Sequence, residues 1–387
     1  FGAEGLRGYD ALDAAPPVSE SRAFPSGGFY VMRDGWFRDS NFLMLDCGAH
    51  GTANCGHAHA DALDFDMAAR GRTLLVDPGT YTYTGSQAER DYFRSTPAHN
   101  TLAVDGESSS VPAGAFSWRH VADSRTLEWR EHARFTAFSG ETDGYARLPS
   151  PATHTRSVLF LKGDYFVIRD RVETTGAHRY ELNFHFAPDA APGVETRDDH
   201  AAAVSERRAD DSGLELYTFS AHGDWRASEG WVSTCYGART RAPVVSYEAR
   251  GEGAQEFFSF LIPRRAGQER AGVREIAARH GRAFEVTDAA ARDLLIVGAR
   301  ETDETGGVRS DFAGAWVRFA AGGDGQATEF VLLGGSRFEI EGELRISAAR
   351  EVGYVVGRRA EGGWEVESDA DGLEVVFEET ANLAMRN

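Results

Sequence analysis

"HTRSVLFLKGDYFVIRDRVE", residues 154–173, places two short apolar runs on either side of Lys162, Gly163 and Asp164. A Gly-Asp pair between β-branched and aromatic runs is a hairpin signal, because a tight turn needs a residue free to take positive φ. The spacing therefore predicts two antiparallel strands. The same pattern recurs along nearly the whole chain: "GGFYVMRD" at 27–34, "NFLMLDCG" at 41–48, "TLLVDPG" at 73–79, "RYELNFHFAPD" at 179–189, "EFFSFLIPR" at 256–264 and "TEFVLLGGSRFEIEGELRISA" at 328–348. Strands of this length at this spacing read as an all-β protein. The expected architecture is a large antiparallel β-sandwich followed by a smaller C-terminal β-domain.

Long amphipathic helical stretches are nearly absent. "DALDFDMAARG" (61–71), whose period is ambiguous, and "QAERDYFRS" (87–95) are the short helix candidates. A polar, Arg/Ala-rich passage near residues 265–295 interrupts the strand pattern. The chain is accordingly divided into residues 1–25 as a linker, 26–275 as the sandwich and 276–387 as the smaller β-domain.

With 387 residues, 42% of them hydrophobic and 26% charged, the chain has ample material for more than one core. No run approaches the roughly 18–20 apolar residues that cross a bilayer, so membrane insertion is not expected. A formal charge of −19 argues against nucleic-acid partners, which would be repelled except at a local basic patch. An acidic ligand remains open, because a site needs only a few well-placed cations. Every basic residue except Lys162 is arginine. Cys47, Cys55 and Cys235 form no C-x-x-C pattern, and an odd count leaves pairing of Cys47 with Cys55 open.

Chemistry concentrates between residues 54 and 106. His57 and His59 stand one residue apart, Asp77 follows the apolar "LLV", and His99 precedes "NTLAVDG". In an extended strand, side chains two apart share a face, so the two imidazoles are expected to project together. Two histidine nitrogens and a carboxylate oxygen suit zinc and leave a fourth position open. A lone histidine in a β-protein is ordinarily a hydrogen-bonded structural residue; the combination of H-x-H, Asp and His is harder to produce by accident. Cupins also carry H-x-H on a β-scaffold but add a glutamate, where this chain offers Asp61 and Asp64. Tyr81, Tyr83 and Tyr92 can stack on sugars or edge a core, and Arg90 and Arg94 can grip a carboxylate or brace the fold. His50, His120 and His185 read as structural. Asp105-Gly106 reads as a hairpin turn.

"GHAHADALDFDMAARGRTLLVDPGTYTYTG" with "RDYFRSTPAHNTLAVDG" resembles the signature region of the heparinase II/III-like family of polysaccharide lyases. The close match covers residues 56–106, with weaker echoes in "FPSGGFYVMRDGW", "HTRSVLFLKGDYFVIRDRV" and "YELNFHFAPD". The resemblance implies a helical (α/α) toroid N-terminal to a β-sandwich and often a smaller β-domain, with substrate in the cleft between. By motif position it implies His59, Asp77 and His99 as zinc ligands and His57 as the catalytic histidine facing substrate. Tyr83 and Arg94 are the expected substrate contacts. The implied reaction is β-elimination on an acidic, uronate-containing polysaccharide or oligosaccharide. This chain lacks the toroid, where the family's catalytic tyrosine and neutralising residue reside, and so supplies half of a site. Alternatives are a glycoside hydrolase or other metalloenzyme on the same scaffold, or a carbohydrate-binding or exopolysaccharide module with a structural metal. The expected location is periplasmic or secreted, with no export signal within the chain. Oligomeric state is not legible.

Overall fold

The structure, a computed structural model, describes residues 2–13, 15, 17, 20–196, 202–206, 213–298, 303–321, 325–361 and 363–377. It divides into two compact units. The first comprises Phe1–Val194, Ser205–Leu214 and Ser220–Arg265; the second comprises Glu195–Val204, Glu215–Phe219 and Ala266–Asn387. The segment read as a linker carries a helix, Gly2–Asp10, with no buried residue, and the first strand, Arg22–Phe24.

In the first unit, five strands run in chain order as one antiparallel sheet: Arg22–Phe24, Phe29–Arg33, Phe42–Asp46, Phe65–Ala69 and Arg72–Leu75. Alternation fixes which face is core. Leu43, Leu45, Phe65 and Met67 are buried, while Met44 and Asp66, cross-strand partners on the opposite face, are not. The helix expected within residues 61–71 is therefore corrected: Phe65–Ala69 is a strand with inward Phe65, Met67 and Ala69. Its partners satisfy a period of two, which the isolated stretch could not distinguish from a helical turn. Gln87–Phe93 is a helix as expected, capped by Ser86 accepting from the amide of Glu89.

The hairpin read at Lys162–Asp164 joins Ala152–Leu161 to Phe166–Thr174, paired from Ala152↔Thr174 to Phe160↔Phe166. These strands lie in a sheet ordered Gln255–Arg264, Phe166–Thr174, Ala152–Leu161, Phe135–Thr142 and Ser124–Glu131. A third sheet orders Gly223–Cys235, Ala238–Glu252, Ala177–His185 and Leu102–Val104. Aromatic rings join the layers: Tyr30 to Phe138 at 4.8 Å, and Tyr180 to Phe257 at 5.6 Å between centroids. The second unit carries an antiparallel sheet whose long strands, Ala327–Ile340 and Leu344–Ala360, enclose Phe312, Phe330, Leu332 and Phe338. All three cysteines are free.

One buried charge cluster braces the first unit. Arg156 points inward between Ala152 and Phe160, binds both oxygens of Asp170, and donates to the carbonyls of Leu63 and Asn100, both at 2.7 Å. His154 bonds the same Asp170. Burial alone would raise the Asp170 carboxyl, but Arg156 and His154 outweigh it and hold it down at about 2.

Candidate metal and active site

His57, His59 and Asp61 sit on the loop between Phe42–Asp46 and Phe65–Ala69, not on a strand. Ala53, Cys55 and Leu63 take positive φ there, so the loop has no regular ladder to satisfy its backbone. The stretch from Ser95 to Thr101 does so instead. Thr96 Oγ1 donates to Ala60 O, Thr101 Oγ1 to Ala62 O, and Asn100 Nδ2 to the carbonyls of both Phe65 and Val76. The density of Thr, Ser and Asn in "STPAHNT" is thus a set of struts under the histidine loop.

The expectation that His57 and His59 project together is corrected by this irregular backbone. His57 is exposed, and its Nδ1 lies 3.2 Å from Tyr83 Oη. His59 turns the other way, with Nδ1 3.2 Å from His99 Nε2 and Nε2 3.2 Å from Thr80 Oγ1. His99, the cap of a short 3-10 turn, donates Nδ1–H to Ser95 O at 2.7 Å, which leaves its Nε2 lone pair facing His59. Asp77 follows the strand Arg72–Leu75. Its Oδ1 accepts from Gly79 N at 2.7 Å, and its Oδ2 stands 3.4 Å from His99 Nε2. Gly79 is obligatory for this turn: its φ is +70°, and a Cβ would meet Ser233 O at 2.2 Å.

The structure adds Asp61, which residue spacing had not assigned to the metal. Ligand atoms of His59, Asp61 and His99 all lie within 4.8 Å of one another. The signal was present as a third alternate residue, H-x-H-x-D. Burial first, then the charges of His99, Arg90 and Arg94, hold His59 well below the usual imidazole range, so it is neutral and free to ligate. Each imidazole is also oriented by a partner on its other nitrogen, as metal-binding histidines normally are. This donor set can hold a metal ion.

A cavity of ≈ 430 Å³ opens beside it, lined by His57, His59 and the five aspartates Asp46, Asp61, Asp64, Asp66 and Asp77. No arginine or lysine lines it. Burial, with repulsion from Asp61 and Asp77, pushes the Asp46 carboxyl up to about 7; burial and Asp77 push Asp66 up to about 6. At its edge three aromatic rings form a ladder. Tyr83 stacks on Phe116 at 5.7 Å and on Tyr236 at 5.8 Å, and Phe116 and Tyr236 are exposed.

Arg94, expected at the substrate, is placed elsewhere. Its side chain is fully buried, bound to Asp91 Oδ1 at 2.5 Å and to Gly114 O at 2.7 Å, over the Trp118 ring. Arg90 is likewise buried, donating to Gly56 O and covering the Tyr83 ring. Arg90 lies on the inward side of the helix Gln87–Phe93 and also places Nη1 3.4 Å from His59 Nε2, while Arg94 is the residue that caps the helix C-terminus. His185 is structural, bonded to Pro97 O. Asp105 takes φ +57° in its turn, but its carboxylate also binds His178 Nδ1 and Arg179 N.

A family described as heparinase II/III-like, C-terminal, matches residues 16–269. Heparin-sulfate lyase of Bacteroides stercoris is 25% identical over 260 residues, 66% of this chain and 36% of the relative; that of Pedobacter heparinus is 24% identical over the same shares. The chain thus spans about a third of the length of these relatives. Among solved structures, heparan sulfate lyase HepC of Pedobacter heparinus superposes with a TM-score of 0.63 at 22% identity, covering 76% of this chain and 45% of that one. A heparinase III structure gives 0.59 at 18% identity, covering 72% and 43%. These likenesses carry the β-fold. The matched residues span both the sandwich and the histidine loop, and the chain belongs to the heparinase II/III-like family of polysaccharide lyases, as its C-terminal β-portion.

Proposed function

We propose that this chain forms the β-domain half of an active site that cleaves a uronate-containing polysaccharide by β-elimination. The observation that carries it is the exposed His57, bonded to Tyr83 at the mouth of a cavity and adjacent to the inward-facing His59–His99 group. Heparin-sulfate lyases among the relatives support the acidic substrate class. In this reading a helical toroid domain supplies the facing wall, together with the catalytic tyrosine and the neutralising residue.

In such a reaction a base takes the C5 proton, the C4–O bond breaks, and the C4–C5 double bond forms as the leaving oxygen gains a proton. His57 offers Nε2 toward the sugar while Tyr83 holds Nδ1, so the ring is oriented for proton transfer. Tyr83, Phe116 and Tyr236 present aromatic surface to the C–H faces of sugar rings. His59, Asp77 and His99, with Asp61 as a further donor, would hold a zinc ion. Bound there, it supplies positive charge among the carboxylates and fixes the loop that carries His57. With Asp61 added, the donor set favours a site-organising ion over a water activator.

Incubating the full-length protein with heparan sulfate, alginate and glucuronan, and following ultraviolet absorbance of the unsaturated sugar, tests the reading. Product mass separates elimination from hydrolysis, which adds a water. Silence on all three polymers, or hydrated products, overturns it.

A further inference from the structure

We infer that Arg90 is a positioning residue that ties the metal-group histidine His59 to the substrate-facing pair His57–Tyr83, so that filling the metal group sets the seat of His57. The consequence for turnover rests on the lyase reading above; the tie itself does not.

Arg90 is fully buried, yet no carboxylate pairs with it among the described residues. Arg94 binds Asp91 and Arg156 binds Asp170. The partners of Arg90 are neutral and come from three separate stretches of chain. Its Nη2 donates to Gly56 O at 3.2 Å, its Nε donates to Ala115 O at 3.4 Å, and its Nη1 lies 3.4 Å from His59 Nε2. The guanidinium carbon stands 4.9 Å from the centre of the Tyr83 ring.

Every one of these contacts is adjacent to a group around His57. Gly56 precedes His57 in the chain. Ala115 precedes Phe116, whose ring lies 6.2 Å from that of His57 and 5.7 Å from that of Tyr83. Tyr83 Oη is 3.2 Å from His57 Nδ1. A guanidinium is planar, with its five N–H groups in a fixed fork, so a movement that breaks one contact tilts the others.

The imidazole partner makes this arrangement responsive. An ionised carboxylate always accepts, whereas an imidazole nitrogen accepts only while it carries no proton. With Arg90 Nη1 donating to His59 Nε2, the ring holds its proton on Nδ1, 3.2 Å from His99 Nε2. As a metal ligand His59 gives its Nδ1 lone pair, and the one proton of the neutral ring moves to Nε2. Nε2–H then donates to Thr80 Oγ1, 3.2 Å away, and offers Arg90 no lone pair. The guanidinium withdraws onto the carbonyls of Gly56 and Ala115, next to His57 and Phe116. Filling the metal group is thereby felt at the substrate-facing histidine.

The test follows the isotope-labelled histidine rings of the full-length protein by NMR as zinc is added, with the His57 and His59 signals assigned from His57→Gln and His59→Gln. Zinc moves the His59 proton from Nδ1 to Nε2 and shifts the ring signals of His57. In Arg90→Lys, which keeps the charge and loses the fork, zinc still binds and the His57 shift is lost. On zinc-loaded protein Arg90→Lys lowers kcat about ten- to a hundredfold with little change in KM, and has no further effect in a His57→Ala background, because both act through one group. A His57 ring that ignores zinc in the parent protein overturns the tie without any variant. Equal zinc-induced shifts at His57 in Arg90→Lys and parent, or a kcat loss that persists in the His57→Ala background, also overturn it. An Arg90-dependent His57 shift in a protein that yields no unsaturated product leaves the tie standing and removes the lyase reading. Lyase activity with His57 indifferent to zinc does the reverse.

Discussion

His59 Nδ1 stands 3.2 Å from His99 Nε2, with the other nitrogen of each ring already committed to Thr80 and Ser95. Arg90 Nη1 donates to His59 Nε2, so the His59 proton sits on Nδ1 and points at the His99 Nε2 lone pair; a metal ion beside Asp61 and Asp77 would take the place of that proton. Elemental analysis is expected to find one zinc per chain, and His99→Ala to lose it with a lower thermal midpoint. Thr80→Val, which frees the His59 ring, weakens zinc by about ten- to a hundredfold. Metal-free protein of undiminished stability contradicts this.

His57 is exposed and shares no ligand atom with the metal group, so its removal separates chemistry from folding. His57→Ala is expected to lower kcat by about 10²–10⁴-fold while leaving zinc content and thermal midpoint unchanged. Full turnover in this variant excludes His57 from catalysis.

Tyr83 has two separable parts, a hydroxyl on His57 and a ring between Phe116 and Tyr236. Tyr83→Phe keeps the stack and is expected to lower kcat with little change in KM. Tyr83→Ala also raises KM. Steady-state kinetics on a soluble oligosaccharide distinguishes the two, and equal effects of both variants on KM contradict the division.

Asp170 is fully buried against Arg156 and His154, so deleting its charge strands a guanidinium in the core. Asp170→Asn is expected to cost about 3–5 kcal/mol in denaturant unfolding and to loosen the histidine loop through Leu63 O and Asn100 O. With a folded pKa of about 2 against about 3.9 unfolded, the carboxylate's contribution is full above the unfolded value. It is lost as pH falls through about 2.

Burial first, then neighbouring charge, holds His50 down at about 4 and His185 at about 3. Both take up protons more readily when unfolded, so stability declines as pH drops below about 6.5 toward these values. His185→Gln is expected to flatten that decline in pH-dependent thermal melts. An unchanged slope assigns the loss to other groups.

The sequence by itself determined the β-class, the Lys162–Asp164 hairpin, the helix at Gln87–Phe93 and the residue types of the site, since these follow from local turn chemistry and short-range periodicity. It also placed Asp77 at a strand end and His99 ahead of the next strand. Only tertiary structure decided where the side chains point. His57 and His59 diverge because their loop has positive φ at Ala53, Cys55 and Leu63, and alternation means nothing in such a backbone. Phe65–Ala69 became a strand through its pairing with Phe42–Asp46, a long-range choice no local pattern encodes. Arg94 went inward to the carbonyls of Gly114 and Ala115, because these partners are brought to it by a chain crossing some twenty residues away in sequence.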